Sequence, residues 1–207
     1  MKLPQGFVGA GCAAGLKSTG ALDLTLIENK GPSFFGTAVF TSNKVVAAPV
    51  IWSKQVVKDE IVRAVVLNSG GANACTGPQG FADTHATAEL VGELLEVSSG
   101  EVVVCSTGLI GELLPMAKIE SGIKSIASEL KSESLQECAQ AIMTTDSVPK
   151  IAQATLGKVQ VAGIAKGAGM LAPALATMLS VVMTDGLVGS NAAKIFAQVT
   201  DRTYNRI

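Results

Sequence analysis

Arg63–Asn68 (RAVVLN), the loop Ser69–Gly77 (SGGANACTG) that follows it, and Glu101–Ser106 (EVVVCS) decide the fold class. Each outer run is short and rich in β-branched residues, as a strand requires. The loop is made of small and turn-forming residues, and Pro78 just beyond it suits a first helical turn. The spacing predicts a helix from there, with Ala86, Leu90, Val91, Leu94 and Val97 on its apolar side. Strand, helix, strand is a βαβ unit, which argues for an α/β protein.

On the N-terminal side, Asp23–Glu28 and Gly36–Thr41 read as strands, with Asn29-Lys30-Gly31-Pro32 as the turn between them. Such antiparallel hairpins make the sheet mixed. On the C-terminal side, helices are expected over Pro115–Leu130 and Ser134–Met143, and strands over Ile151–Thr155 and Lys158–Ile164. A Gly-rich loop, Lys166–Met170 (KGAGM), leads to an apolar strand over Thr177–Thr184, and a last helix begins near Ser190, an N-cap type of residue. The expected architecture is α/β, a mixed sheet layered with helices.

Composition narrows the function classes. The 207 residues are 48% hydrophobic and 16% charged, enough to bury a core and too apolar for disorder. Net charge is −1 with both signs interspersed, so no basic stripe exists to track phosphates and nucleic acid is a poor partner. The N-terminus MKLPQGFVGAGCAAGLK is Gly-rich and lacks a Leu-rich centre, so it reads as mature protein and not as a signal peptide. The longest apolar stretch, Met170–Met183, contains Pro173, Thr177 and Ser180 and falls short of the roughly 20 residues a membrane span needs. It reads as a buried segment. Cys12, Cys75, Cys105 and Cys138 form no CxxC pair and read as small buried residues in a reducing cytosol, with no metal site.

One histidine limits the chemistry. His85 lies mid-helix with Phe81 and Glu89 a turn away on either side and nothing resembling a triad beside it. A nucleophile here works without a histidine base: a Ser–Lys pair, a thiolate, or a residue served by its own α-amine. The loops Ser69–Gly77 and Ser106–Pro115 (STGLIGELLP) follow strand ends, where α/β proteins carry function. Both also read as plain tight turns. In the functional reading, Thr107-Gly108 is an oxyanion hole, with a hydroxyl and a backbone N–H aimed at one developing charge. In Val161–Asp185 (VAGIAKGAGMLAPALATMLSVVMTD), Thr177 opens an apolar strand after a small-residue approach. Attack of its hydroxyl on the Ala176 carbonyl would shift the acyl group from N to O. That shift frees the α-amine, and hydrolysis of the ester restores the hydroxyl, which the amine then serves as base.

AKGAGMLAPALATMLSVVMTD resembles the cleavage-site signature of the ornithine acetyltransferase (glutamate N-acetyltransferase) family of arginine biosynthesis. PQGFVGAGCAAGLK, LDLTLI, AVFTSNKVVAAPV, VVLNSGGANACTG, CSTGLIGELLP and IMTTD resemble that family's blocks in the same order. The resemblance implies a self-processing fold with an N-terminal threonine nucleophile, cut between Ala176 and Thr177. It implies Thr107 and Gly108 as oxyanion hole and Lys166 as a substrate-binding lysine. Within IMTTD it implies a substrate-contacting threonine, Thr144 by spacing to Thr177, with Thr145 as alternative. The implied reaction is ping-pong acetyl transfer from N-acetylornithine to glutamate, with no cofactor or metal. Some family members also use acetyl-CoA as donor, and no residue in this chain decides that point. Residues 1–176 correspond to the family's first chain and 177–207 to the start of its second, cut short. Family members continue about as far again, adding a glutamate and further polar residues to the site. The implied assembly is a hetero-oligomer of the cleaved chains in the cytoplasm, and the fragment by itself is expected to be inactive. Two alternatives stand beside it: a self-cleaving, aminopeptidase-like hydrolase of related fold, and a non-catalytic binding or assembly fragment.

Overall fold

The computed structural model describes residues 1–169 and 177–207. In chain order the elements are β1 (Phe7–Cys12), β2 (Leu24–Asn29), α1 (Ala48–Val56), β3 (Ala64–Asn68), α2 (Gly77–Leu95), β4 (Val102–Ser106), α3 (Met116–Ala127), α4 (Leu135–Ala141), β5 (Lys150–Leu156), β6 (Val159–Lys166), β7 (Leu179–Thr184) and α5 (Ala192–Arg202). They build a four-stranded sheet ordered β1-β2-β3-β4 and a three-stranded sheet ordered β5-β6-β7. In the first sheet β1, β2 and β3 run antiparallel to their neighbours, while β3 and β4 pair in parallel. The parallel pair is the βαβ unit read from Arg63–Ser106, and the expected mixed sheet follows from it.

Side chains along a strand alternate between faces, so the apolar runs here feed two cores. Leu24 and Leu26 of β2, Ala64 and Val66 of β3, and Val102 and Val104 of β4 face a cluster with Val91 of α2 and Ile119, Ile123 and Ile126 of α3. Ile27, Leu67, Val65 and Cys105 point the other way, into a cluster with α4 and with Ala162, Ile164 and Met183 of the second sheet. The first sheet is thus sandwiched between helices and the second sheet. That explains why residues 64–67 of β3 are apolar on both faces instead of alternating.

Several expectations are corrected. Gly36–Thr41 is not a strand; the nearby pairing is a single bridge between Phe35 and Ile61. The hairpin partner of β2 is β1, which the sequence hides behind glycine. A Cβ at Gly9 would lie 3.0 Å from the Cys138 sulfur, and one at Gly11 would lie 3.0 Å from the Glu137 carbonyl oxygen. These glycines let α4 lie directly on β1, at the expense of strand propensity. On α2 the buried residues include Asp83, Thr84, Thr87, Ala88 and Val91. Ala86 and Leu94 are exposed, so the packed face is rotated from the predicted one. Small side chains at Gly80, Thr84, Ala88 and Gly92 let the helix sit close, and the larger residues fall at its margin. β7 is not a wholly buried segment: Met183 is buried while Val182 on the opposite face is 45% exposed. The cysteines are free, but Cys75 is exposed on its loop instead of buried.

Helix α1 has no counterpart in the sequence reading. It covers the outer edge of β4, whose backbone would otherwise be unpaired. The Ser53 hydroxyl donates to the Val104 carbonyl at 2.9 Å and accepts from the Val104 N–H at 3.1 Å. Trp52 Nε1 donates to the Val102 carbonyl at 3.0 Å.

Candidate active site

Asn68 and Ser106 end β3 and β4 side by side, and the Asn68 amide donates to Ser106 Oγ at 2.7 Å. Both chains therefore turn into their loops at the same point. The Thr107 N–H donates back to the Asn68 carbonyl at 3.0 Å, which leaves the Thr107 hydroxyl as the polar group able to act elsewhere. Gly108 has φ +134, and a Cβ there would lie 2.9 Å from Gly71 Cα. No side chain fits in that conformation against that neighbour.

The first loop is built around Asn73, which is fully buried. Its side-chain amide donates to the Gly80 carbonyl at 2.8 Å and to Thr84 Oγ1 at 3.0 Å, and its oxygen accepts from Thr76 Oγ1 at 2.7 Å. Ser69 Oγ donates to the Ala141 carbonyl at 2.6 Å, tying the loop to α4. This loop forms one wall of a cleft.

Across from it, β6 and β7 are antiparallel with Lys166 opposite Leu179. Thr177, two residues before Leu179, therefore enters at the same sheet end as Lys166. Lys166 is 5% exposed and its Nζ donates to Thr107 Oγ1 at 3.2 Å, joining the two sheets. An ammonium only donates, so the hydroxyl accepts here and keeps its own proton for another acceptor. Burial pushes the Lys166 amine down from its ordinary value, the Asp146 charge opposes that shift and the Lys150 charge adds to it.

Thr144 and Thr145 lie between α4 and β5; Thr144 is half-buried and Thr145 exposed. Asp146 next to them is buried. One of its oxygens accepts the Gly167 N–H at 2.8 Å and the other accepts the Thr144 N–H at 3.1 Å. It also pairs with Lys150. Burial would push the Asp146 carboxyl up, but the hydrogen bonds from Lys150, Gly167 and Thr144 and the Lys150 charge outweigh it and hold it at about 2.

Thr107, Gly108, Thr144, Thr145, Lys166 and Thr177 all line one open, largely apolar cleft of about 2460 Å³. Ala176, on the other side of the expected cleavage point, lies outside the described residues.

A model described as the ArgJ family matches residues 9–207. The chain belongs to the ArgJ family. It is 52% identical over 204 residues to the arginine biosynthesis bifunctional protein ArgJ of Streptomyces avermitilis, covering 98% of this chain and 53% of that protein. It is 55% identical over 190 residues to the ArgJ protein of Mycobacterium bovis, covering 88% of this chain and 47% of that one. The chain thus spans about half the length of the curated relatives it matches. Among solved structures it is similar to ornithine acetyltransferase from Mycobacterium tuberculosis complexed with ornithine, with TM-score 0.74, 47% identity, and coverage of 85% of this chain and 94% of that chain. It is also similar to the arginine biosynthesis bifunctional protein argJ from Bacillus halodurans, with TM-score 0.66, 29% identity, and coverage of 92% and 94%. The family read from the blocks around Thr177 is therefore the right one.

Within this ArgJ-family chain, among the described residues, no group of three His, Cys, Asp or Glu could hold a metal ion, and no helix is long and apolar enough to cross a membrane. His85 is where the sequence put it, on α2, 3.7 Å from Glu89 and edge-on to Trp52 with ring centroids 5.0 Å apart. It does not line the cleft. Sequence reasoning gave Asp146 no role, because two of its partners are backbone amides that leave no side-chain pattern to read.

Proposed function

We propose that this chain carries the nucleophile and oxyanion hole of a self-processing acetyltransferase that moves an acetyl group from N-acetylornithine to glutamate through Thr177. The observation that carries the reading is the Lys166–Thr107 hydrogen bond at 3.2 Å, within a cleft that Gly108 and Thr177 also line. It supplies a hydroxyl with a free proton at a strand end, which is what an oxyanion hole needs.

In the proposed sequence, the Thr177 hydroxyl first attacks the Ala176 carbonyl, the Ala176–Thr177 C–N bond breaks to free the α-amine, and water then hydrolyses the resulting ester, releasing the Ala176 carboxylate and restoring the hydroxyl. That amine takes the hydroxyl proton as Thr177 attacks the acetyl carbonyl of N-acetylornithine. The Thr107 hydroxyl and the Gly108 N–H stabilise the negative oxygen of the tetrahedral intermediate. Ornithine leaves with the proton, and the glutamate amine attacks the acetyl-threonine ester through the same hole. Lys166 has donors beyond the one used on Thr107, and a substrate α-carboxylate is a suitable acceptor for them. Thr144 is preferred to Thr145 as the substrate contact, since its backbone shares the Asp146 carboxylate with Gly167.

Residues 1–176 and 177–207 are read as the first chain and the start of the second chain of one precursor. The cleft of about 2460 Å³ exceeds the roughly 300–1,000 Å³ that holds a small ligand. The remaining half of the precursor is proposed to cover it and complete the site, in a hetero-oligomer of cleaved chains working in the cytoplasm. The test is an acyl-transfer assay on the full-length protein with N-acetylornithine, with and without glutamate. Acetylglutamate formed in step with ornithine is the expected result. Acetate released at the same rate whether or not glutamate is present would point to a hydrolase, and no turnover to a non-catalytic role.

A further inference from the structure

We infer that Asp146 is a positioning residue that clamps the Thr144 loop to the Lys166–Gly167 turn, keeping the Lys166 ammonium against the Thr107 hydroxyl. This rests on the reading above that Thr107, Thr144 and Lys166 serve Thr177. The Asp146 side chain is fully buried, yet it belongs to a loop. Its two oxygens are divided between two chain segments: Oδ2 takes the Thr144 N–H at 3.1 Å and Oδ1 takes the Gly167 N–H at 2.8 Å, twenty-one residues away. Only a carboxylate supplies two acceptors in one plane with no donor to repel an amide.

Gly167 directly follows Lys166, the last residue of β6 and the partner of Leu179, so the clamp lies where the chain leaves the sheet towards Thr177. A shift of the Gly167 backbone would carry Lys166 with it and lengthen a bond to Thr107 that is already 3.2 Å. Lys150 also pairs with Asp146, but its side chain is 45% exposed. That pair ties the carboxylate to a half-exposed side chain, whereas the two amides join the loop before β5 to the turn after β6, so the amides are the contacts that make the clamp.

The clamp is tested in the full-length protein with three variants. Asp146→Asn removes the charge and one acceptor; Asp146→Glu keeps the charge but moves both oxygens; Lys150→Met removes the ion pair and leaves both amides bound. Both Asp146 variants should lower kcat for transfer and the rate of self-cleavage by about tenfold or more, the scale of loss when a reacting group is misplaced by a fraction of an ångström. Lys150→Met should stay within about twofold of wild type on both, because it leaves both amides bound to the carboxylate. Amide hydrogen exchange at Thr144 and Gly167 should quicken in the Asp146 variants and not in Lys150→Met. That readout needs no turnover, so it judges the clamp even if the wild-type protein transfers no acetyl group. Unchanged exchange in either folded Asp146 variant, wild-type kcat and cleavage in Asp146→Glu, or equal losses in Lys150→Met would overturn the proposal.

Discussion

Thr107 and Lys166 meet through one hydrogen bond at 3.2 Å, so substitutions at the two positions separate their roles. In the proposed oxyanion hole, Thr107→Ala removes the hydroxyl donor and should lower kcat by about 10²–10³ with little change in KM, because such a bond strengthens only in the transition state. Lys166→Met keeps the stem and removes the charge. It should raise KM for both N-acetylornithine and glutamate by about tenfold, the scale of one lost charged hydrogen bond. It should also lower kcat, since the Thr107 hydroxyl loses its donor. Steady-state kinetics on the full-length variants decide this: a Lys166→Met enzyme with normal KM and reduced kcat would assign the lysine to Thr107 alone. At this scale the sequence marked Thr107, Gly108 and Lys166, which stand at strand ends and which the fold brings to one cleft. It was silent on Asp146 and Asn73, which work by binding backbone groups brought near by tertiary folding.

The βαβ unit was legible because β3 and β4 are apolar on both faces and the loop between β3 and α2 is made of turn formers. β1 was not, since Gly9 and Gly11 are there for the approach of α4. The opposite error at Gly36–Thr41 has the same root: β-forming composition does not make a strand without a partner to pair with. Helix α1 is the element whose purpose emerges only from the fold, as the cover for β4. Ser53→Ala would leave the buried Val104 N–H and carbonyl without the hydroxyl that serves both. Such a loss should destabilise the chain by about 1–3 kcal/mol, measured as a lower urea midpoint at unchanged slope. A Ser53→Ala midpoint equal to wild type would mean that β4 does not depend on α1 for its edge.

At the scale of the whole molecule two sheets meet across one of the two cores, the one that holds Ile27, Leu67, Ile164 and Met183, and the cleft is lined from both sheets. Acid should weaken the Asp146 clamp at the end of the second sheet. The Asp146 carboxyl sits at about 2 in the folded chain against an ordinary value of 3.8, so it binds its proton less readily folded than unfolded. Its contribution to stability is therefore fully present above roughly pH 4 and is lost as pH falls through about 2. Lys150 and Lys166 face it, together with Lys17 at longer range. Asp146→Asn should flatten the acid limb of a plot of urea midpoint against pH, whereas an unchanged limb would place the titration elsewhere. The account depends most on Thr177, whose hydroxyl must first cut the chain and then carry the acetyl group. The most direct measurement is intact mass of the full-length protein, wild type and Thr177→Ala, before and after N-acetylornithine without glutamate. The account predicts two wild-type fragments divided between Ala176 and Thr177, with an acetyl group gained on the Thr177 fragment, and a single unlabelled chain for Thr177→Ala. An uncut wild-type chain, or two fragments from Thr177→Ala, would contradict it.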